Sequence, residues 1–440
     1  MRYKEYKKVD LPWLEDVPSH WEIKNVNSLF NIRRGVVIPK TELVENGKYP
    51  VYSSQTKNHG ILGYLNNYDI EGYSITWTTD GVNAGTVFFR EGKYNCTNIC
   101  GILESREKIS RYQYIYYAYV LKETCIHHKR KDTNGYKIMS NEMKQIEFPS
   151  APKEEQEQIA RFLDWKINEI DRLIEMYINK ISKLNDFKDV IISNYIFNGI
   201  NSNIKLKKVG LSYIDQIPEN WELEKIKYNF EIVKSIAGKE GYNVLSITQK
   251  GIVIKDISKN EGQIASDYSK YQFVEVGNFA MNHMDLLTGY IDISKYFGVT
   301  SPDYRVFRIK NKLKIYDKYY LLMFQYFYKS RIFYKLGQGA SHLGRWRLPS
   351  DNFLNMKIPV PSYNDQVKIV ESINSKSTIL EHQIDRLKII VENLKQLKQS
   401  LIFDVVTGKI DVRNVNIPDY DKVSYTEDDA ILDENFDKEI

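Results

Sequence analysis

The chain contains one framework twice, and this internal duplication is the feature that most constrains its fold. The segment from Val9 to Phe30 reads VDLPWLEDVPSHWEIKNVNSLF, and the segment from Val209 to Phe230 reads VGLSYIDQIPENWELEKIKYNF. Six positions are identical in this ungapped window, among them the Pro, Trp and Glu of an I/V-P-x-x-W-E motif. Agreement at this density predicts two copies of one domain.

The C-terminal parts of the two copies also correspond, but at an offset of 210 residues instead of 200. Residues 136–138 (YKI) align with residues 346–348 (WRL), and Gln156 aligns with Gln366. The second copy therefore carries about ten extra residues in its interior. A copied frame with a different interior is expected of one scaffold that presents two different reading surfaces.

Each half is predicted to begin as an α+β domain. Tyr73 to Trp77 and Thr86 to Phe89 are short β-type runs between Gly, Asn and Asp turns. A helix is predicted around Arg111 to Lys122 in the first half. Residues 221–315 show a similar mixture, and an aromatic helix is predicted around Tyr319 to Tyr334.

A long helix follows a proline-marked boundary in each half, at residues 148–152 and 358–361. Its apolar residues recur mostly at steps of four and three, which is the spacing of a coiled-coil seam. The first seam consists of Leu163, Ile167, Ile170, Ile174, Tyr177, Ile181, Leu184 and Ile191. The second consists of Ile373, Leu380, Ile384, Leu387, Val391, Leu394 and Leu401. Lys188 and Lys398 occupy the same seam position, and both helices are predicted to end near a glycine, Gly199 or Gly408.

Each helix is predicted to run for about 40 residues, or roughly 60 Å. Equal length and register favour an antiparallel coiled coil between the two helices, with the halves related by a pseudo-twofold axis. The alternative is that each is an amphipathic helix that packs on its own domain. The predicted boundaries are a first domain over 1–149, a central helix over 150–200, a second domain over 201–358, a C-terminal helix over 359–411 and an acidic tail over 412–440.

The charge distribution permits nucleic-acid binding but does not prove it. The net charge is +5, and residues 412–440 hold nine acidic and three basic side chains, so the remaining body carries +11. The tail is predicted to be a solvated, partly disordered end. Neither a run of about 18 apolar residues nor an N-terminal apolar segment is present, so we expect no membrane span and no secretory signal. Three cysteines fit a reducing cytoplasm.

The sequence lacks the motifs of the common catalytic sites. It has no GxxxxGK[ST] phosphate loop, no HExxH zinc motif, no G-x-S-x-G elbow, no Rossmann glycine fingerprint and no Asn/Asp-Pro-Pro-aromatic tetrapeptide of amino-methylating DNA methyltransferases. Residues 80–85 (DGVNAG) are predicted to form a turn. Cys96 and Cys100 have Cys125, His127 and His128 downstream, but the second half has no counterpart, so core thiols are favoured over a metal site.

Polar stretches with basic and aromatic residues are present instead, three in each half. They cover residues 53–59, 78–83 and 128–137, and residues 246–250, 282–285 and 338–347. Such side chains hydrogen-bond base edges and phosphates, although each stretch alone is more simply a solvated turn. The predicted DNA contacts in the first half are Gln55, Lys57, Asn58, Thr79, Asn83, Lys129, Arg130, Lys131, Asn134, Tyr136 and Lys137. Those in the second half are Thr248, Gln249, Lys250, Asn282, His283, Gln338, Ser341, His342, Arg345, Trp346 and Arg347.

The chain resembles the specificity subunits of type I restriction-modification systems over about residues 9–411. The resemblance rests on the two I/V-P-x-x-W-E motifs, on E/D-Q-x-x-I after each proline boundary, and on VTGKIDVR at residues 406–413. It implies two target-recognition domains separated by two long antiparallel coiled-coil helices. Each domain would read half of a bipartite, asymmetric site on double-stranded DNA. The helices would set the gap between the half-sites.

The resemblance also implies partners. The helices would dock two modification subunits, which carry S-adenosylmethionine and methylate adenine, and restriction subunits are an optional addition. The chain itself would have no cofactor, no metal and no catalytic residue. Two other classes remain open: a coiled-coil interaction scaffold that does not read DNA, and a stand-alone DNA-modifying enzyme with an unusual site.

Overall fold

The computed structural model describes residues 2–133, 135–201, 203–257, 265–339 and 346–422. The chain divides into two compact units, Met1–Lys180 with Leu387–Ile440, and Ile181–Arg386. Each unit holds one α+β domain and a part of both long helices, as the internal duplication predicts. Within the described part of the chain, no helix is long and apolar enough to cross a membrane.

The first unit begins with the N-terminal domain, and the first long helix follows it. The strands are β1 (Tyr6–Leu11), β2 (Leu14–Pro18), β3 (Glu22–Asn25), β4 (Phe30–Arg34), β5 (Tyr49–Tyr52), β6 (Ile61–Leu65), β7 (Ile70–Thr78), β8 (Asp80–Gly81), β9 (Val87–Cys96), β10 (Cys100–Ser105), β11 (Arg130–Asp132), β12 (Gly135–Lys137) and β13 (Glu147–Ser150). The helices are α1 (Val26–Leu29), α2 (Arg111–His128), α3 (Ser140–Gln145) and the long α4 (Lys153–Asn198).

The main sheet of the first domain has the strand order β4-β10-β7-β9-β5-β6. Its pairs are antiparallel except β5 with β9. Helix α2 covers the sheet and begins with a capping box between Ser110 and Gln113, so it matches the predicted helix at its start and runs six residues beyond Lys122. Cys96, Cys100 and Cys125 are buried free thiols.

The second domain has the same frame with shorter strands. They are β14 (Leu206–Leu211), β15 (Ile214–Pro218), β16 (Glu222–Lys225), β17 (Phe230–Val233), β18 (Leu245–Thr248), β19 (Gly251–Ile254), β20 (Gln272–Val274), β21 (Phe279–Met281), β22 (Ile291–Ile293), β23 (Gly298–Thr300), β24 (Arg305–Ile309) and β25 (Lys357–Val360). The helices are α5 (Ile226–Asn229), α6 (Asp317–Lys329), α7 (Ile332–Lys335), α8 (Ser350–Asn355) and the long α9 (Tyr363–Val406).

The central sheet of the second domain has the order β17-β24-β21-β22, and α6 packs aromatic side chains against it. The aromatic helix predicted around Tyr319 to Tyr334 is interrupted. Helix α6 ends at Lys329, and α7 begins after Arg331, whose φ of 55° is left-handed. A left-handed residue cannot continue an α-helix, so the single predicted helix becomes two.

The two long helices run antiparallel inside each unit. In the first unit, Lys398 Nζ donates to Asp171 Oδ1 over 2.6 Å. In the second unit, Lys188 forms the corresponding ion pair with Glu381. An offset of 210 relates both the two lysines and the two acids, so each repeat supplies the lysine of one pair and the acid of the other.

The predicted seam residues face inward. The buried ones are Leu163, Ile167, Ile170, Ile181, Ile373, Leu380, Ile384, Leu387 and Val391. The partly buried ones are Ile174, Tyr177, Leu184, Ile191, Leu394 and Leu401. Ile178, which the heptad assignment omitted, is also buried.

The helix boundaries differ slightly from the predicted ones. Strand β13 continues to Ser150 and β25 to Val360, so the helices begin at Lys153 and Tyr363 instead of at 150 and 359. Both strands pair with the strand after the I/V-P-x-x-W motif, β13 with β3 and β25 with β16. These long-range pairings determine where each helix can start.

The corresponding glycines and tryptophans of the two copies meet at the helix ends. Gly408 and Gly199 have φ of 76° and 74°, the left-handed conformation of a helix C-terminus. A Cβ on Gly408 would lie 2.4 Å from Pro18, and one on Gly199 would lie 3.3 Å from Trp221. The Pro-x-x-Trp motif therefore provides the surface on which a helix end packs.

The described part of the tail contacts helix α4, although most of its side chains are exposed. Val412 is buried. Gln158 Nε2 donates to the carbonyl oxygens of Val412 and Val415, and the Tyr420 hydroxyl donates to Asp164 Oδ2 over 2.9 Å. Residues up to 422 thus follow the first part of α4, and the predicted tail beyond them lies outside the described residues.

Candidate nucleic-acid interface

The fold brings the three polar stretches of the first domain together. Strand β12 pairs with both β11 and β8, which joins residues 128–137 to residues 78–83. Asn83 Nδ2 donates to the Ser54 carbonyl oxygen over 3.1 Å, which joins residues 53–59. We call this assembly the first surface.

Basic and aromatic side chains project from the first surface. Lys57, Arg130, Lys131 and Tyr136 are exposed, and the Lys129 ammonium lies 4.8 Å from the centre of the Tyr136 ring. Arg130 pairs with Glu142 and Lys137 with Asp132. These ion pairs are partly solvated, so a phosphate group can compete with the carboxylates for the same cations.

A buried arginine supports the turn at residues 53–60, and sequence reasoning missed it. Arg90 is 5% exposed, donates from Nη1 to the His59 carbonyl oxygen over 2.7 Å, and lies 3.5 Å from the centre of the Tyr52 ring. Burial lowers the pKa of its guanidinium. Asn58 and His59 have φ of 46° and 49°, so this contact holds a left-handed turn in place.

The second domain assembles its stretches in a similar way. Gln249 Nε2 donates to the Thr288 carbonyl oxygen over 3.4 Å, and the Leu348 amide donates to the His283 carbonyl oxygen over 3.0 Å. Gln338 and Arg347 exchange two backbone hydrogen bonds of 2.8 and 2.9 Å. We call this assembly the second surface.

The side chains of the second surface are less basic where the structure describes them. Gln249, Lys250, Gln338 and Arg347 are exposed, and Thr248, Asn282 and Trp346 are partly buried. The Trp346 ring lies tilted by 40° against the Tyr334 ring, with 4.6 Å between their centres. Ser341, His342 and Arg345 lie outside the described residues, as does Asn134 of the first domain.

Two of the predicted contact residues have side chains that the structure buries, and their contact with DNA remains a prediction. Thr79 is fully buried and donates from Oγ1 to the Ile99 carbonyl oxygen over 3.1 Å. His283 is 6% exposed. Its burial, with Arg305 and Arg347 nearby, lowers the pKa of the imidazole to about 3, so the ring is neutral near pH 7.

Two other predicted contacts use their amides within the protein. Gln55 Nε2 donates to the Ile61 carbonyl oxygen, and Asn83 Nδ2 donates to Ser54, as described above. Asn58, like Gln55 and Asn83, is partly buried. These three residues shape the turns that present their exposed neighbours, and their contact with DNA remains a prediction.

The described residues contain no group of three or more His, Cys, Asp or Glu arranged to hold a metal ion. His127 stacks on Trp13 with 5.1 Å between ring centres, and Cys125 is buried in the core. The three thiols are buried, whereas His127 is exposed and His128 is partly buried.

Comparison with known proteins identifies the frame. The model of the family described as "Type I restriction modification DNA specificity domain" matches twice, over residues 18–183 and 218–389. The type I restriction enzyme MjaVIII specificity subunit of Methanocaldococcus jannaschii is 28% identical over 94% of this chain and 98% of its own length. The putative type I specificity subunit S.MpnORF507P of Mycoplasma pneumoniae is 31% identical over 52% of this chain and 65% of its own length.

A solved structure supports the fold. A chain from a study of complex assembly and conformational transition of the type I R-M system aligns with a TM-score of 0.62 at 9% identity, over 90% of this chain and 99% of the other. The predicted α+β architecture with a duplicated domain and long helices is confirmed. The relatives are named specificity subunits, in agreement with a recognition role and not a catalytic one. This chain therefore belongs to the family of type I restriction-modification specificity subunits and carries two copies of its DNA specificity domain.

Proposed function

We propose that this chain reads a bipartite, asymmetric site on double-stranded DNA, one half-site with each domain. The observation that carries the proposal is that one copied frame assembles two surfaces with different side chains. Lys57, Arg130 and Lys131 are exposed on the first surface, and Gln249 and Arg347 on the second. Different donors and acceptors on equivalent frames select different bases.

The two surfaces combine two kinds of contact. Lysine side chains neutralise phosphates and supply affinity that is independent of sequence and falls with salt. Glutamine, asparagine and arginine side chains distinguish base pairs in the major groove, and Arg347 has the fork that pairs with a guanine. A bidentate contact of this kind contributes about 1–3 kcal/mol of discrimination.

The long helices are proposed to dock two modification subunits. Phe187 on α4 and Leu397 on α9 are each 53% exposed and are related by the offset of 210 residues. Large apolar side chains exposed at equivalent positions favour a partner that binds twice. Those subunits would hold S-adenosylmethionine and methylate adenine, and restriction subunits would be an optional addition. Such a complex would act in the cytoplasm.

Long-read mapping of adenine methylation in the native host tests the proposal. We compare the wild type, an in-frame deletion of this gene and the deletion complemented with the intact gene. We expect one bipartite motif, methylated on both strands, to be lost on deletion and restored by complementation. If the system is expressed and the methylome stays unchanged, the proposal is wrong.

Binding measurements separate the two rival classes. With the modification subunits present, DNA binding should weaken steeply as salt rises, since several phosphate contacts are lost together. A scaffold that does not read DNA predicts no such salt dependence. Methyl transfer by this chain alone would instead support a stand-alone enzyme.

A further inference from the structure

One backbone position closes the third polar stretch in both domains. Ile138 and Leu348 correspond at the offset of 210, and both are fully buried. The Ile138 amide donates to the Thr79 carbonyl oxygen over 2.9 Å, and the Leu348 amide donates to that of His283 over 3.0 Å. An equivalent backbone hydrogen bond therefore holds the chain where it leaves each surface.

The carbonyl groups at this position accept hydrogen bonds from different side chains. In the first domain, Trp77 Nε1 donates to the Ile138 oxygen over 2.9 Å. In the second, an Nη2 of Arg305 donates to the Leu348 oxygen over 2.7 Å. Trp77 is 1% exposed and Arg305 is 3% exposed. A buried carbonyl without a donor is costly, and both domains supply one.

The two donors come from opposite strands of one conserved strand pair. Trp77 on β7 lies opposite Gly101 on β10, and Met281 on β21 lies opposite Arg305 on β24. An offset of 204 relates Trp77 to Met281 and Gly101 to Arg305. The side chain that donates to the carbonyl thus lies on one strand of the pair in the first domain and on the other strand in the second. The residue opposite it also differs between the domains.

Two other contacts confirm the offset of 204 in this part of the frame. It relates Thr79 to His283, whose carbonyl groups accept the equivalent hydrogen bonds described above. It also relates Tyr116 to Tyr320, whose hydroxyl groups donate to the carbonyl oxygens of Pro149 and Pro359. The alignment of the two pairs therefore follows from equivalent contacts in the two domains.

The available space explains why both residues of the pair differ between the two domains. A Cβ on Gly101 would lie 2.1 Å from the Trp77 ring, so the indole requires glycine opposite. In the second domain, the guanidinium of Arg305 lies 4.9 Å from the centre of the Phe353 ring and contacts the Met281 sulfur. Either arrangement fills the same site and reaches the same carbonyl.

We propose that Trp77 and Arg305 are positioning residues that fix the ends of residues 128–137 and 338–347, and thereby set base discrimination at each half-site without contacting DNA. This inference rests on the proposed function. It explains how two surfaces that differ in sequence are held by one frame. A change of donor shifts the end of the polar stretch, and a shift of about 1 Å is enough to weaken directional contacts.

Substitutions at Arg305 test the proposal in the full-length chain. Arg305→Met keeps the apolar stem but removes the donor. The double variant Met281→Trp with Arg305→Gly transfers the pair of the first domain and restores a donor. Arg308→Met is the matched control, because Arg308 lies on the same strand, is exposed, and pairs with Glu231 over 2.7 Å.

Two readouts are measured. Hydrogen exchange in the free chain follows the Gln338 and Arg347 amides, which donate to each other's carbonyl oxygens. Methylation by the complex with modification subunits is then measured on oligonucleotides with single-base changes in either half-site. For Arg305→Met we expect exchange to rise about tenfold, and discrimination to fall about tenfold at the second half-site alone. The control should behave as wild type, and the double variant should recover discrimination.

The possible failures are distinguishable. Unchanged exchange in Arg305→Met overturns the anchoring contact. Faster exchange with unchanged discrimination overturns the positioning role. A double variant that folds but does not recover discrimination overturns the equivalence of the two pairs. If the wild-type complex distinguishes no half-site, the proposed function is wrong, while the exchange comparison still decides whether Arg305 holds the loop.

Discussion

The two domains are built on one frame, and they differ in what fills it. Phe30 and its counterpart Phe230 are both buried, but Phe30 packs beside Tyr117, whereas Phe230 packs among the rings of Phe279, Phe307 and Phe324. The first domain extends its sheet to six strands, and the main sheet of the second has four.

One position that stays identical makes the same contact in both units. Gln156 and Gln366 are buried, and each donates from Nε2 to the carbonyl oxygen of the residue five positions earlier, Ala151 or Pro361. These amides fix the start of α4 and α9 to their domains. A contact that is needed at both helix starts requires the same residue type in both copies. An interior position can differ between the copies if its neighbour differs too.

The Gly101 position should show the largest difference between the domains. Gly101→Ala places a methyl group against the Trp77 indole, so we expect the ring to move and release the Ile138 carbonyl. The predicted loss in the free energy of unfolding is about 3 kcal/mol. Urea unfolding measures it, with Ser105→Ala on the same strand as the control. A loss below that of the control would show that the ring adapts without cost.

Substitution of the helix-terminal glycines by alanine should destabilise the protein more where a Cβ atom has less space. Both require a left-handed backbone, which costs an alanine about 1 kcal/mol. Gly408→Ala also meets Pro18 at 2.4 Å, whereas Gly199→Ala meets Trp221 at 3.3 Å. We therefore expect a loss of about 2 kcal/mol for the first substitution and about 1 kcal/mol for the second. Equal losses in urea unfolding would mean that Pro18 moves aside freely.

His283 should make the second domain lose stability as pH falls below the ordinary pKa of histidine. Its pKa falls from the ordinary 6.5 to about 3 in the folded chain, so the unfolded chain binds the proton first as pH falls. The contribution of the neutral His283 side chain to the free energy of unfolding is complete above pH 6.5. It is lost between pH 6.5 and about pH 3, by about 1.4 kcal/mol per pH unit. Thr79 occupies the corresponding position in the first domain and has no such proton.

Substitution isolates this contribution. His283→Gln should flatten the fall in unfolding free energy between pH 6.5 and 4.5, and His382→Gln, at an exposed site on α9, should not. If both variants keep the wild-type slope, the imidazole of His283 is protonated in the folded chain, and the burial argument is incorrect.

The duplication, the heptads and the family motifs could be predicted because they are periodic or local in sequence. Burial and long-range contact could not be predicted in this way. Thr79 and His283 look like surface residues in a polar stretch, yet each lies at the end of a core strand. Arg90 and Arg305 were missed because an arginine in a strand is usually exposed.

Boundaries were imprecise for the same reason. The helix starts depend on strand pairings with residues more than 100 positions away, such as Ser150 with Glu22. The ordered beginning of the tail depends on Gln158, which lies 254 residues before Val412. No local pattern reports such contacts, so the sequence predicts only a solvated, partly disordered end for this polar, acidic segment.

The smallest expected effects concern the two seam ion pairs. These pairs can be compared directly, because the offset of 210 residues relates one to the other. Asp171, the partner of Lys398, has a side chain that is 12% exposed, whereas that of Glu381, the partner of Lys188, is 55% exposed. Removing Lys398 takes a cation away from a carboxylate that is poorly solvated, whereas removing Lys188 leaves the carboxylate of Glu381 to water. We expect Lys398→Met to cost about 1 kcal/mol and Lys188→Met about 0.3 kcal/mol.

Exchange of charges separates pairing from side-chain size. In urea unfolding at low salt, Lys398→Asp alone should be more destabilising than Lys398→Met, because it places two acids together. Adding Asp171→Lys should recover most of that loss if the two helices keep their antiparallel register. The same exchange at Lys188 and Glu381 should recover little free energy of unfolding, because the single substitution at Lys188 removes little. If both exchanges behave alike, burial of the acid does not distinguish the pairs, and the two repeats are equivalent along the seam even though their interiors differ.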